Sequence, residues 1–155
     1  VQNVMPSALI PVTYAVSMGA AALAALASGA LYDRIGLRGL LIALPLTAAV
    51  PFLSFSNTPV LVWAGALVWG AALGIHESTL RAAVADLVSA ATRGTGYGIF
   101  TAIYGIAWLA GSTIIGALYS VSLTGLIVFT IASQLVALVA FIPLLKPAPA
   151  QGQAT

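Results

Sequence analysis

From Ala8 to Leu31 the chain runs without one charged side chain, and it does so again from Tyr97 to Tyr119 and from Leu123 to Leu145. Runs of about 20 apolar residues are long enough to cross a bilayer as helices. Water offers such segments no stable place outside a very large core, and this chain has only 155 residues. Eight of these are charged, 5% of the chain, against about 25% in an ordinary soluble domain. So few charges cannot cover the surface of a small globule. Disorder is excluded as well, because 61% of the residues are hydrophobic. The runs do not alternate in polarity, so the spans are helices and not barrel strands. The expected fold is all-α, a polytopic helical bundle in a membrane.

Five spans are expected, over 8–31, 39–55, 59–79 with helix continuing to 88, 97–119 and 123–145. A tail over 147–155, with two prolines and a glycine, reads as a disordered cytoplasmic end. Five crossings put Arg34, Arg38, Arg81, Arg93 and Lys146 on one side, and leave the connections 56–58 and 120–122 uncharged. The positive-inside rule makes that side the cytoplasm, with the N-terminus outside and the C-terminus inside. The chain opens on Val1 with no charged n-region, and its first span is too long for a signal-peptide core. It reads as a piece of a longer protein.

The segment Gly29-Ala30-Leu31-Tyr32-Asp33-Arg34-Ile35-Gly36-Leu37-Arg38 resembles the signature loop of the major facilitator superfamily. Gly29, Leu31, Asp33, Arg34, Gly36 and Arg38 match it. Tyr32 stands where a small residue is usual, and Leu37 where a second base is common. The looser match is similar to the second copy of the loop, between helices eight and nine. A later stretch, from Leu80-Arg81 through Asp86 to Arg93-Gly94-Thr95-Gly96-Tyr97-Gly98, resembles the connection between helices ten and eleven. The resemblance implies helices eight to twelve of a twelve-helix transporter of the bacterial cell membrane, with helix seven and the N-terminal half absent. It also implies an inner gate, with Asp33 in a charged cluster that includes Arg34 and Arg81. By chemistry alone, Gly29 and Gly36 permit close approach and a tight reversal, and a solvated positive-inside turn fits the same residues.

The helix faces carry the remaining candidates. At 100° per residue, Thr101, Tyr104, Trp108, Ser112 and Tyr119 share one stripe of span four, and Gly98, Ala102, Gly105 and Gly116 the next. Ile99, Ile103, Ile106 and Ile114 lie opposite and suit lipid. The aromatic and hydroxyl stripe reads either as a cavity wall or as side chains packed inside the bundle. The small stripe is expected to meet a neighbouring helix of this chain. On span three, Trp63, Gly70, Gly74, Glu77 and Arg81 share a side. Glu77 and Arg81 stand at i, i+4 in the favourable order, which fits a local ion pair. An intramembrane acid also raises proton coupling, with His76 beside it.

These residues suit transport of a small solute by part of a secondary transporter, inactive as this piece alone. Its partners are then the lipid bilayer, a small-molecule substrate and the absent N-terminal half. The alternative is a small non-transporting membrane subunit that packs on partner helices through its glycine faces. Enzyme chemistry is not expected. Ser112 has no base at its depth, and no P-loop is present. With one His, three acids and no Cys, no metal site or cofactor is expected, and a net charge of +2 offers nucleic acid no patch.

Overall fold

The computed structural model describes residues 6–145, so Lys146 and the tail over 147–155 lie outside the described residues. Five α-helices follow in order: α1 over Ile10–Ile35, α2 over Ala43–Ser54, α3 over Pro59–Leu87, α4 over Arg93–Val121 and α5 over Leu123–Phe141. No strand occurs among the described residues. Four stretches are long and apolar enough to cross a membrane: Ser7–Ser54, Pro59–Leu87, Ala90–Val121 and Leu123–Phe141. The fold is a membrane helical bundle.

The first stretch holds α1 and α2, divided at Gly36. That residue ends α1 with φ 59° and ψ −144°, a conformation nearly reserved for glycine. Its N–H still closes on the Tyr32 carbonyl. A 3-10 segment over Gly36–Ile42 then leads into α2. So the stretch expected as one span over 39–55 mixes two helix types, and prolines supply a reason. Pro45 brings no N–H for the Leu41 carbonyl, and Pro51 sits inside α2 and brings none for Thr47. Seven 3-10 residues and twelve α residues together rise about 32 Å, enough for the ~30 Å hydrocarbon layer.

α3 is the centre of the bundle. It packs along α1 on one side and α2 on another, and it touches α4; α5 packs on α2 and α4. α1 and α2 do not pack on each other. Matched positions on α1 and α3 keep an offset of 53 or 54 residues. Ser17 faces Gly70, Ala21 faces Gly74, the Ala25 carbonyl accepts from the Ser78 hydroxyl, and Tyr32 reaches Asp86. A constant offset means that α1 and α3 run parallel. α2, tied to both by short connections, returns between their ends.

The seam between α1 and α3 is built from small residues. A Cβ added at Gly70 would overlap the backbone carbonyl of Ser17, and one at Gly74 that of Ala21. Below the glycines, Ser28 and Thr79 share a buried hydrogen bond of 2.9 Å, and Ser78 donates across to Ala25 at 3.1 Å. Gly65 does similar work for the α2–α3 hairpin, where a Cβ would stand 2.9 Å from the Ser54 backbone nitrogen. Large apolar residues point outward instead: Leu26 is 75% exposed and Val60 73%. In water such a distribution would be untenable. In lipid it is natural, since tails are as apolar as leucine and close packing drives association.

Candidate functional site

Two regions hold the residues singled out in the sequence. The first lies at the end of the bundle where α1 and α3 terminate. Asp33 and Arg34 are exposed on the last turn of α1, and Arg38 is exposed on the 3-10 segment beyond it. Asp33 and Arg34 make no hydrogen bond or ion pair among the described residues. Arg81 turns instead to Glu77 on its own helix, at 3.2 Å, and this is the only ion pair among the described residues. Among the described residues, no hydrogen bond or ion pair joins Asp33 or Arg34 to Arg81. The expected close approach at Gly29 is absent too, since a Cβ there would meet only the Ser78 hydroxyl oxygen at an ordinary 3.7 Å. Gly36 does carry the reversal, through its positive φ.

What ties this end together is a pair that sequence reasoning passed over. The Tyr32 hydroxyl donates to Asp86 Oδ2 at 2.8 Å, joining the last turn of α1 to the last turn of α3. Nearby, the Tyr97 hydroxyl donates to the Arg81 carbonyl at 3.1 Å, joining α4 to α3. The one hint available in the sequence was Tyr32 itself, a large polar ring in a place where small residues are usual.

The second region runs up α4. His76 on α3 lies 6.4 Å, ring to ring, from Tyr104 on α4. Tyr104 stacks on Phe100 at 5.8 Å and meets Trp108 at 5.9 Å. Further along, Tyr119 stands 5.8 Å from Phe55, at the end of α2. Between Phe55, Trp69, Trp108 and Tyr119 opens a wide groove of about 600 Å³, bounded also by Ser112, Gly116 and Leu126. α3, α4, α5 and the end of α2 all contribute, and no lining residue is charged. The Ser112 hydroxyl is turned back to the Leu109 carbonyl of its own helix at 3.1 Å.

Trp108 and Ser112 thus line the groove, Tyr104 adjoins it through Trp108, and Thr101 is exposed. Ile99, Ile103 and Ile106 are each more than half exposed on α4. The neighbouring small stripe differs from expectation. A Cβ at Gly98, Gly105 or Gly116 would meet nothing within 4 Å, so these glycines pack on no helix among the described residues. No group of three or more metal-ligating side chains comes together among the described residues.

Comparison with known proteins places the chain among membrane transporters. The family model described as Major Facilitator Superfamily matches residues 5–155. Uncharacterized proteins of Mycobacterium tuberculosis and Mycobacterium bovis are 47% identical over 137 residues, which is 88% of this chain and 34% of theirs. The class C tetracycline resistance protein of Escherichia coli is 34% identical over 97 residues, 61% of this chain and 24% of that protein. The chain spans about a third of the length of its mycobacterial relatives. No solved structure gives a significant match.

Proposed function

Because the chain belongs to the major facilitator superfamily, we propose that it forms part of the C-terminal half of a secondary transporter that moves a small solute across the bacterial cell membrane. The observation that carries the reading is the family match over residues 5–155, in a chain whose described residues hold four apolar stretches of spanning length. Such transporters rock two pseudo-symmetric halves about a site near the midplane and make or break no bond in the solute. This chain alone supplies one wall, so it does not transport by itself.

In this reading the bundle end bearing Gly29, Asp33, Arg34, Gly36, Arg38 and Arg81 faces the cytoplasm and forms the inner gate. Tyr32 and Asp86 share a hydrogen bond, which supports placing the ends of α1 and α3 on one side. Asp33 and Arg34, both exposed, are then available to groups of the absent half. Tyr104, Trp108 and Ser112 face the solute path. Glu77 pairs locally with Arg81. The alternative of a subunit docked through glycine faces loses one of its surfaces, because Gly70 and Gly74 are already occupied by α1.

The test uses the full-length protein in proteoliposomes, with substrate counterflow across a panel of small solutes. At least one solute should exchange, and Asp33→Asn should slow the exchange. Exchange of none, with reporter fusions after Thr58 read as cytoplasmic, would remove both the function and the orientation. Single Cys residues sharpen the face assignment, since the chain has no native Cys. Cys at 104, 108 and 112 should react with a water-soluble thiol reagent, and Cys at 103, 106 and 114 should not.

A further inference from the structure

We propose that the stretch from Gly36 to Ser54 is a strap drawn taut between two anchors, and that Gly36–Ile42 is its extensible part, 3-10 while the strap is stretched and α-helical once it has slack. The strap itself stands apart from the transport reading. Only its consequence at the inner gate rests on that reading.

Packing supplies the anchors. At one end Ser54 is seated on Gly65, where an added Cβ would stand 2.9 Å from the Ser54 backbone nitrogen. At the other, Gly36 follows the last turn of α1, which the Tyr32–Asp86 bond holds level with the end of α3. Between Gly65 and Asp86, α3 rises about 32 Å. From Gly36 to Ser54 an unbroken α-helix would rise only about 27 Å. Because α1 and α3 run parallel, α2 must make the return with fewer residues than α3 uses. Seven residues at the 3-10 rise add about 3.5 Å and close most of the gap.

The length of the run points the same way. Runs beyond about four residues are uncommon, because 3-10 hydrogen bonds are poorer. Something must hold seven of them in place. Pro45 alone does not account for it. It brings no N–H to Leu41 in an α turn and none to Ile42 in a 3-10 turn, so it loses a bond in both. Pro51 stands inside α-helical turns of the same stretch. Tension between the anchors supplies the missing cause.

Length is coupled to rotation. A 3-10 helix turns 120° per residue and an α-helix 100°. Slack of about 3.5 Å therefore swings Arg38 by about 100° around the axis, relative to α2. Gly39 leaves room for the turn, since a Cβ there would meet only the side-chain ends of Leu31 and Ile35, at 3.9 Å. In the transporter, an axial shift of the signature loop thus becomes a swing of Arg38.

The experiment places nitroxide labels at Leu37 and Leu41 of the full-length protein in lipid nanodiscs, in a background without other cysteines, and reads their dipolar broadening. The two stand about 120° apart around the axis in 3-10 turns and about 40° apart in α turns, so the broadening grows several-fold on conversion. Otherwise unaltered protein should show weak broadening. One glycine inserted after Gly36 supplies up to about 3.5 Å of slack and should make it strong. The same glycine inserted between Ser56 and Thr58, outside both anchors, should leave it weak, and so should Pro45→Ala. Strong broadening in Pro45→Ala would make the run a local effect of proline and overturn the proposal. Weak broadening after the Gly36 insertion, in protein that keeps its monodisperse peak, would overturn it too, and Pro45→Ala decides the matter even where the insertion does not fold. Counterflow with the labels fixed at their 3-10 spacing throughout removes the swing of Arg38. Exchange of no solute, with the strap readings as expected, removes the transport reading alone.

Discussion

The seam between α1 and α3 and the small-residue stripe of α4 carry the same kind of sequence, small residues repeated about every fourth position, yet they end in opposite situations. Gly70 and Gly74 lie against backbone carbonyls of α1, with Ser28, Thr79 and Ser78 bonding across below them. Gly98, Gly105 and Gly116 face open space, and α4 has no buried residue along its 29. Small residues show that a helix can be approached closely. They do not show by what. The seam adds hydroxyls that reach a partner, while on α4 the hydroxyls of Ser112, Thr113 and Ser120 all return to their own helix. Hydroxyls that cross between helices separate a seam in use from one that is open.

The strongest way to break this contrast is to fill both stripes. Gly70→Leu should cost about 3 kcal/mol or more, at the upper end for overpacking, because the obstruction is backbone that cannot move aside. The full-length protein should lose its monodisperse peak on size exclusion and much of its thermal stability. A Cβ at Gly105 meets nothing among the described residues, and Gly105→Leu should change neither. A large loss from Gly105→Leu would show that helices from outside the described residues pack there. Smaller effects grade the seam itself. Thr79→Val removes the bond to Ser28 and should lower stability by about 1 kcal/mol, within the range for interhelical hydrogen bonds in membranes. Tyr32→Phe breaks the link to Asp86 at the bundle end and should cost about 0.5 to 1 kcal/mol, read as a small drop in melting temperature. Ser112→Ala should be close to neutral for stability, since that hydroxyl bonds only within α4. Glu77→Gln should be comparably small. The pair with Arg81 is 40% and 66% exposed, so its loss should cost between about 0 and 0.5 kcal/mol in a melt. Transport should survive it, and a lost dependence on the proton gradient would identify Glu77 as more than a local partner.

The helices were legible because lipid imposes one simple rule, long uncharged apolar runs, that local sequence states directly. Gly70 and Gly74 were legible as a packing face for the same local reason. The partner of that face was not, because pairing Gly70 with Ser17 depends on an offset of 53 residues that no periodicity encodes. The Tyr32–Asp86 bond was missed on the same ground, while the Glu77–Arg81 pair was legible because its i, i+4 spacing is local. In α2 the prolines at 45 and 51 were visible, but their consequence, a 3-10 entry to a short α-helix, was not drawn from them. Trp108 stood out as a candidate wall by its place in the aromatic and hydroxyl stripe of α4. Trp69 and Phe55, its companions across the groove, lie on other helices and share no stripe with it.

The parallel register of α1 and α3 also decides where the gene can gain or lose a codon. One residue inserted between Gly70 and Gly74 would turn the rest of α3 by about 100° and advance it by about 1.5 Å. Gly74 would then leave the Ala21 carbonyl, Thr79 would leave Ser28, and Asp86 would leave Tyr32, all through a single event. The same residue inserted between Ser56 and Thr58 lies in the turn before α3 begins and shifts none of those pairs. Length variation in this chain should accordingly collect in that turn, while the stretch from Gly70 to Asp86 keeps its length even where its side chains change.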